Sequence, residues 1–196
     1  MIKTIPRSRG DPLKKISELF RNKKSKFYLR CVHPDEVLSE IVNLKSGKSF
    51  GLDNIDSYII KLAKIELTPA ITHIVNLAFK QGKFPSLWKC AKVVPLLKKG
   101  EPTEPKNYRP VALLSVTSKI MERLVFNQMI SYLEFNNVLH PSHHGFRAKH
   151  STCTALLHMQ DQWLQALERN QITAVVMCDM SAAFDVVNHE LLLKKT

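Results

Sequence analysis

The feature that most constrains the fold is a change of pattern between residues 91 and 115. Two short apolar runs, "AKVVPLL" and "VALLS", flank the segment "KKGEPTEPKNYRP", which contains three prolines and a glycine. Apolar and β-branched residues favour strands, whereas proline and glycine favour turns. The pattern predicts an antiparallel hairpin around a basic loop, and Pro95 within the first run predicts an edge strand or a bulge.

Helical periodicity dominates the chain before and after this hairpin. Pro34 suits the first position of one helix. A later helix is expected to take Thr68 as its N-cap, to hold Pro69 in its first turn and to end just before Gly82. The Pro34 helix lies in "HPDEVLSEIVNL", where Val37, Ile41 and Leu44 form one apolar stripe. Further helices are predicted in "DSYIIKLAKI", in "SKIMERLVFNQMISYLEF" and at about Ser151–Glu168, with Ser151 or Thr152 as the cap of the last one.

A continuous apolar run, "ITAVVMC" at residues 172–178, predicts a strand that is buried on both faces. Together with the hairpin and the helices, this strand indicates an α+β fold that is rich in helices and has a few antiparallel strands. The strand ends on Asp179, so the sequence places a carboxylate where a buried strand leaves its sheet.

Asp179 has two possible roles. It either caps a short helix in "MSAAFD" or binds a metal at the carboxyl end of the strand. Asp185 is not expected to share that metal site. If residues 179–185 are helical, Asp185 lies about 9 Å from Asp179 along the axis and is rotated by roughly 240°. If they are extended, Asp185 lies about 20 Å from Asp179. The two ions of a two-metal site lie only about 3.5–4 Å apart. A partner acid must come from another segment.

Charge indicates a class of partner. The net charge is +12, and the basic residues cluster: residues 1–30 hold ten Lys or Arg against two acids, and residues 83–109 hold seven against two. Such clusters favour a polyanion, most often nucleic acid, although a solvated surface explains residues 1–30 equally well. No apolar run approaches the roughly 18 residues that would span a membrane.

The cysteines indicate a compartment. The four of them are far apart and form no CxxC pair, which predicts reduced thiols with no disulfide partner in an intracellular protein of the nucleus or cytoplasm.

Several segments together resemble one family. They occur in the order and spacing of reverse transcriptases of non-LTR (LINE-type, jockey-like) retrotransposons, and the resemblance covers about residues 33–196. It implies the fingers and partial palm of a right-hand polymerase. The implied divisions are a loosely structured lead-in (1–32), a helical segment (33–84), a fingers-like region (85–170) and the start of a palm (171–196). The segments are "WKCAKVVPLLKKG", "NYRPVALLSVTSKIMERLV", "HGFRAKHST" and "CDMSAAFDVVNH".

The resemblance implies an RNA-directed DNA polymerase that uses Mg²⁺, an RNA template, a DNA primer and deoxynucleoside triphosphates. Asp179 matches the catalytic aspartate that binds both metals, with the Met180 carbonyl as a further ligand. Ala183 and Phe184 match nucleotide-binding positions, and Phe184 matches the aromatic residue that rejects a 2′-hydroxyl. Without the resemblance, core packing is the better explanation for Phe184. Asp185 is typical of this branch but is not a metal ligand there.

Basic residues of the fingers are also implied to bind the nucleotide. Lys98 and Arg109 match positions that hold the incoming triphosphate, where lysine supplies a point charge and arginine a fork of donors. Lys99 is an alternative to Lys98, and Lys106 is expected to be a solvated loop charge. Arg147, in "GFR", matches a contact to the template and nucleotide region.

A cluster of potential metal ligands overlaps the last of these motifs. His143, His144, His150 and Cys153 lie close in sequence, but their spacing fits no standard zinc finger. We therefore expect no zinc site here.

Motifs that the resemblance would require are absent. Members of the family carry a "PQG" segment and an Ala-Asp-Asp motif after the first aspartate, and this chain has neither, nor any Asp-Asp pair. The sequence therefore predicts a fragment truncated after the first catalytic motif and inactive alone. A non-enzymatic nucleic-acid-binding module and a pseudogene product are the alternatives. We also expect residues 172–178 to form an exposed edge and the chain to fold marginally in isolation.

Overall fold

A computed structural model of the protein describes residues 26–45, 47, 50–179 and 187–195. The chain divides into two compact units, residues 1–139 and 140–196. The first unit contains α1 (Pro34–Val42), α2 (Ser57–Leu62), α3 (Lys64–Gln81), β1 (Lys92–Leu97), β2 (Tyr108–Leu113) and α4 (Val116–Phe135). The second unit contains α5 (Thr152–Glu168) and α6 (His189–Lys195).

The core of the first unit forms where α1 packs against α3 and α4. Val37 and Ile41 of the predicted stripe are buried on α1, whereas Leu44 lies beyond the end of this helix and is partly buried. The buried apolar residues of α4 confirm its helical periodicity. The most deeply buried apolar side chains are Val37, Ile41, Val75 and Ile120.

Helix α3 starts earlier than expected. It begins at Lys64, so the prediction that Thr68 is its N-cap is wrong. Thr68 instead lies inside the helix, where its hydroxyl donates to the Lys64 carbonyl at 2.6 Å. Pro69 is therefore the sixth residue of the helix, beyond the first four N–H groups that lack intrahelical partners, so it removes one backbone hydrogen bond. The helix ends as predicted at Gly82, whose φ of 61° suits glycine.

The predicted hairpin is present, and its second strand is longer than expected. Strands β1 and β2 pair antiparallel, with Pro95 opposite Pro110. The Lys98 N–H donates to the Asn107 carbonyl at 2.8 Å, so pairing continues one step beyond β1. The Lys98–Asn107 pair is thus a hydrogen-bonded pair, and such pairs alternate with non-hydrogen-bonded pairs along an antiparallel ladder. The Pro95–Pro110 pair is three positions away and is therefore a non-hydrogen-bonded pair. Neither proline costs a ladder hydrogen bond, which is why β2 can include Pro110.

The linker before α2 approaches the start of α4 closely. A Cβ atom added to Gly51 would lie 2.7 Å from the Ser115 nitrogen and 2.9 Å from the Leu114 carbonyl carbon. Ser115 is the N-cap of α4, and its hydroxyl accepts from the Ser118 N–H at 3.2 Å. Only glycine permits this contact, which joins the linker to the junction between the hairpin and α4.

Residues 26–33 have no regular secondary structure and lie along helices of the first unit. Two side-chain amides hold this segment. Asn76 of α3 accepts from the Val32 N–H at 2.7 Å and donates to the Val32 carbonyl at 3.0 Å. Gln128 of α4 bonds the N–H and carbonyl of Arg30 in the same way, at 2.9 and 3.1 Å. The rest of the predicted lead-in, residues 1–25, lies outside the described residues.

The second unit confirms one prediction and corrects another. Helix α5 has Ser151 as its N-cap, which is one of the two caps that the sequence predicted. Residues 171–179 have no regular secondary structure and are exposed, so the prediction of a strand buried on both faces is wrong. Ile172 is 99% exposed. A strand must pair its backbone groups with a neighbour, and in the described part of the chain the only paired strands are β1 and β2.

Helix α6 was not anticipated from the sequence. A local signal exists in Asn188, whose side chain accepts from the Leu191 N–H at 3.0 Å in the manner of a cap.

Candidate functional site

Lys98 and Arg109 lie on the same face of the hairpin. Arg109 is directly opposite Leu96, and Lys98 follows Leu96 by two residues in the continued ladder. Side chains two apart in a strand share a face, so Lys98 and Arg109 are diagonal neighbours, with backbones about 7–8 Å apart. Both residues are exposed. The two cations that the sequence indicated, separated by ten residues, are thus adjacent at the hairpin tip.

The loop between the strands is held in a defined conformation. Asn107 donates from its side chain to the Glu101 carbonyl at 3.0 Å, and the Tyr108 hydroxyl donates to the Pro102 carbonyl at 2.9 Å. Gly100 has a φ of 84°, and a Cβ there would lie 2.6 Å from the Asn107 side chain. Asn107 and Tyr108 belong to the "NYRP" motif, but sequence reasoning gave a role only to its arginine. These bonds position Lys98 and Arg109 at either end of the loop.

The other basic residues of the loop differ in their surroundings. Lys106 forms an ion pair with Glu104 at 3.3 Å, in keeping with the solvated loop charge expected there. Lys99 is the residue after Lys98, and successive residues of a strand point to opposite faces. Strand alternation therefore does not place Lys99 on the face that carries Arg109.

Arg147 belongs to the second unit. The turn before it holds Phe146 at a φ of 55°, with its side chain 88% exposed. The Arg147 carbonyl accepts from the His150 N–H at 3.3 Å, which ties this turn to the start of α5. The motif therefore forms an ordered turn that presents an aromatic side chain.

Asp179 is also in the second unit and is exposed at the end of the irregular segment. Met180, Ala183, Phe184 and Asp185 lie outside the described residues. Within the described ranges, no group of three or more His, Cys, Asp or Glu residues is placed to hold a metal ion. A single carboxylate suits Mg²⁺ chemically, but it does not supply the ligands of a two-metal site.

Comparison with known proteins decides the family. Residues 96–196 match the family described as "Reverse transcriptase (RNA-dependent DNA polymerase)". The chain belongs to the reverse transcriptase family. Its matched region begins within β1 and includes Lys98, Arg109, Arg147 and Asp179.

Individual relatives of this reverse transcriptase chain are encoded by mobile elements. It is 32% identical over 168 residues to "Probable RNA-directed DNA polymerase from transposon BS" of Drosophila melanogaster, covering 85% of this chain and 18% of the relative. The same figures apply to "RNA-directed DNA polymerase from mobile element jockey" of that species. The polyprotein of the R2 element of Popillia japonica is 25% identical over 117 residues, covering 60% of this chain and 16% of the relative.

These relatives confirm the resemblance to reverse transcriptases of non-LTR retrotransposons. The chain spans 18% of the length of the first two relatives. The helix-rich α+β character is confirmed too, with one two-stranded antiparallel sheet in the described part of the reverse transcriptase chain.

Other general features of this family member bear on its environment. No helix in the described ranges is long and apolar enough to cross a membrane. All four cysteines are free thiols with exposed side chains.

A histidine cluster in this family member lies before α5. The ring of His144 has its centroid 5.1 Å from that of His150 and 5.8 Å from that of His158. Its Nδ1 lies 3.0 Å from the Thr154 hydroxyl, which donates its hydrogen to the Ser151 carbonyl. Nε2 of His144 is buried and has no hydrogen-bond partner among the described residues. Burial lowers the pKa of His144, and the nearby His150, His158, Arg147 and His143 lower it further.

This lowered pKa predicts that acid weakens the second unit. The pKa of His144 is below its ordinary value in the folded state, so the unfolded chain binds more protons and stability falls as pH drops below about 6.5. Fluorescence of Trp163 in a Trp88→Phe variant can follow urea unfolding of this unit across pH 5 to 8. We expect a lower midpoint at acid pH and a flatter profile in His144→Gln. His73→Gln, on α3, is the control, and an unchanged profile in His144→Gln would contradict the assignment.

Proposed function

We propose that this chain is the nucleotide- and nucleic-acid-binding part of an RNA-directed DNA polymerase of a mobile element. The observation that carries the proposal is the hairpin register, which makes Lys98 and Arg109 neighbours on one exposed face. A point charge beside a planar guanidinium fits the oxygens of a triphosphate or of a nucleic-acid backbone. The names of the relatives support the reaction class.

In this proposal the hairpin belongs to the fingers, within residues 85–170, and residues 171–196 begin the palm. Lys98 and Arg109 hold the triphosphate of the incoming nucleotide, and Arg147 contacts the template region. Asp179 serves as a carboxylate ligand, with Met180, Ala183 and Phe184 around the metal and the sugar. Bound Mg²⁺ would neutralise charge on the phosphates and activate the attacking hydroxyl.

We further propose that the chain does not polymerise by itself. The support is that no group of three or more His, Cys, Asp or Glu in the described residues is placed to hold a metal ion, whereas the reaction needs several metal ligands. Primer extension on a homopolymer RNA template with Mg²⁺ and deoxynucleoside triphosphates is expected to give no product above an Asp179→Ala control. Extension that depends on Asp179 would contradict this part of the proposal.

Binding is a separate part of the proposal and can be measured without catalysis. Fluorescence anisotropy with a labelled single-stranded oligonucleotide should show binding whose affinity falls steeply with salt, because each phosphate contact releases counterions. Binding that is absent, or independent of salt, would overturn the nucleic-acid-binding function.

A further inference from the structure

A second surface of the first unit has the chemistry of a base-binding site. An open cleft of about 730 Å³ lies between residues 26–33, α1 and α4. We call it the aromatic cleft, and its wall includes Lys26, Phe27, Tyr28, Asn127 and Tyr132. It contains neither Lys98 nor Arg109, so it is separate from the hairpin face.

Aromatic rings form one wall of the aromatic cleft. The rings of Phe27 and Tyr132 are 5.3 Å apart between centroids and tilted by 54°. Tyr28, next to Phe27, is 76% exposed. Phe27 is half-buried and packs against Tyr132, whereas Tyr28 is exposed to solvent. An exposed aromatic ring of this kind is available for stacking.

The segment that carries these rings is fixed in position. The amides of Asn76 and Gln128 bond both backbone groups of Val32 and Arg30, respectively. Arg30 also forms two hydrogen bonds with Glu36 of α1, at 2.8 and 2.6 Å. Tyr28 is therefore presented from a segment that is tied to three helices, which reduces the entropy lost when a ligand stacks on it.

Two of the three acids that line the cleft are compensated within the protein, and the third, Asp35, is exposed and lies 3.0 Å from Nδ1 of His33. The bonds from Arg30 lower the pKa of Glu36 to about 2. Glu40 accepts from the Asn127 side chain at 2.7 Å and lies 3.9 Å from the Arg123 guanidinium. Lys26 adds a cation beside the rings. This combination of exposed ring, polar wall and flanking cation suits a flat base attached to a phosphate.

We propose that the aromatic cleft binds an unpaired base of single-stranded nucleic acid, with Tyr28 as the stacking platform and Lys26 near the adjoining phosphate. Stacking on an aromatic side chain does not depend on which base is bound, so the site is expected to be sequence-tolerant. This surface would add a contact to the strand beyond those of the hairpin.

The test compares two labelled strands of equal length and charge, oligo(dT) and an abasic strand that has the phosphates without the bases. The unaltered chain is expected to bind oligo(dT) more tightly in anisotropy measurements. Tyr28→Ala should weaken oligo(dT) binding by about fivefold or more and leave abasic binding unchanged, as the strength of base stacking implies. Tyr28→Phe should retain the preference. Tyr58→Ala removes another exposed tyrosine, which is on α2 and 62% exposed, and should have no effect.

Two outcomes would overturn the inference: equal binding of both strands by the unaltered chain, or a preference for oligo(dT) that persists in Tyr28→Ala. The hairpin proposal is judged separately in the same assay. Charge reversal at Lys98 and Arg109 should weaken both strands alike, because the hairpin contacts phosphates. Circular dichroism of each variant establishes that it is folded.

Discussion

Reversing the charge of Lys98 and Arg109 together is expected to weaken binding of single-stranded nucleic acid by at least about tenfold at low salt. The two cations share one exposed face, so the double variant Lys98→Glu, Arg109→Glu replaces an attractive site by a repulsive one. If each cation contacts one phosphate, the slope of log affinity against log salt should fall by about 1.4, at about 0.7 per contact on a single strand.

A matched control separates local contacts from overall charge. Lys80→Glu, Lys83→Glu changes the net charge by the same amount at two exposed residues at the end of α3 and just beyond it. We expect this control to reduce affinity much less and to keep the salt slope. Equal losses in the two double variants would show that the chain attracts nucleic acid through its net charge of +12 and not through the hairpin face.

Gly51→Ala is expected to destabilise the first unit by about 1–3 kcal/mol. The added Cβ would come within 3 Å of backbone atoms of Leu114 and Ser115, and no side-chain rotation can relieve a clash with backbone. The junction between β2 and α4 must then shift, which also disturbs the hairpin. Urea denaturation followed by the far-ultraviolet signal measures the loss.

The linker supplies its own control for this prediction. Gly47→Ala introduces the same methyl group four residues earlier, where nothing lies within 4 Å of the new Cβ. We expect its unfolding midpoint to match that of the unaltered chain. If Gly51→Ala is as stable as Gly47→Ala, the close approach of the linker to Ser115 is not a feature of the folded protein.

Local sequence signals predicted the elements that depend on local chemistry. The hairpin follows from two apolar runs around a proline-rich loop, and α5 follows from Ser151 as its cap. Helix ends were less predictable. Thr68 and Pro69 are typical of a helix start, yet α3 begins at Lys64, where no side chain caps the helix. A single residue, Ala63, separates α2 from α3, so α3 begins directly where α2 ends and not at the residues that favour a cap.

The strand predicted at residues 172–178 shows a different limit. Its apolar run is typical of a buried strand, but a strand forms only when a neighbour pairs with its backbone, and the sequence of the run carries no information about that neighbour. Ile172 is exposed as a result.

The candidate site was predictable in part. The family resemblance indicated Lys98 and Arg109 as nucleotide-binding residues. That they are neighbours follows only from the pairing register of β1 and β2. Asn107 and Tyr108 order the loop through hydrogen bonds from their side chains to backbone carbonyls of an irregular segment. Sequence periodicity does not indicate bonds of this kind, so they were not predicted. The aromatic cleft had no signal either, since Phe27 and Tyr132 are distant in sequence.

The central claim, that the hairpin face binds the triphosphate of a nucleotide, can be tested most directly by titrating the isotope-labelled chain with a deoxynucleoside triphosphate and recording amide chemical shifts. We predict changes concentrated at Leu96–Lys98 and Asn107–Arg109, and none there with the corresponding deoxynucleoside, which lacks phosphates. Shifts that avoid the hairpin, or that are the same with the deoxynucleoside, would contradict the account.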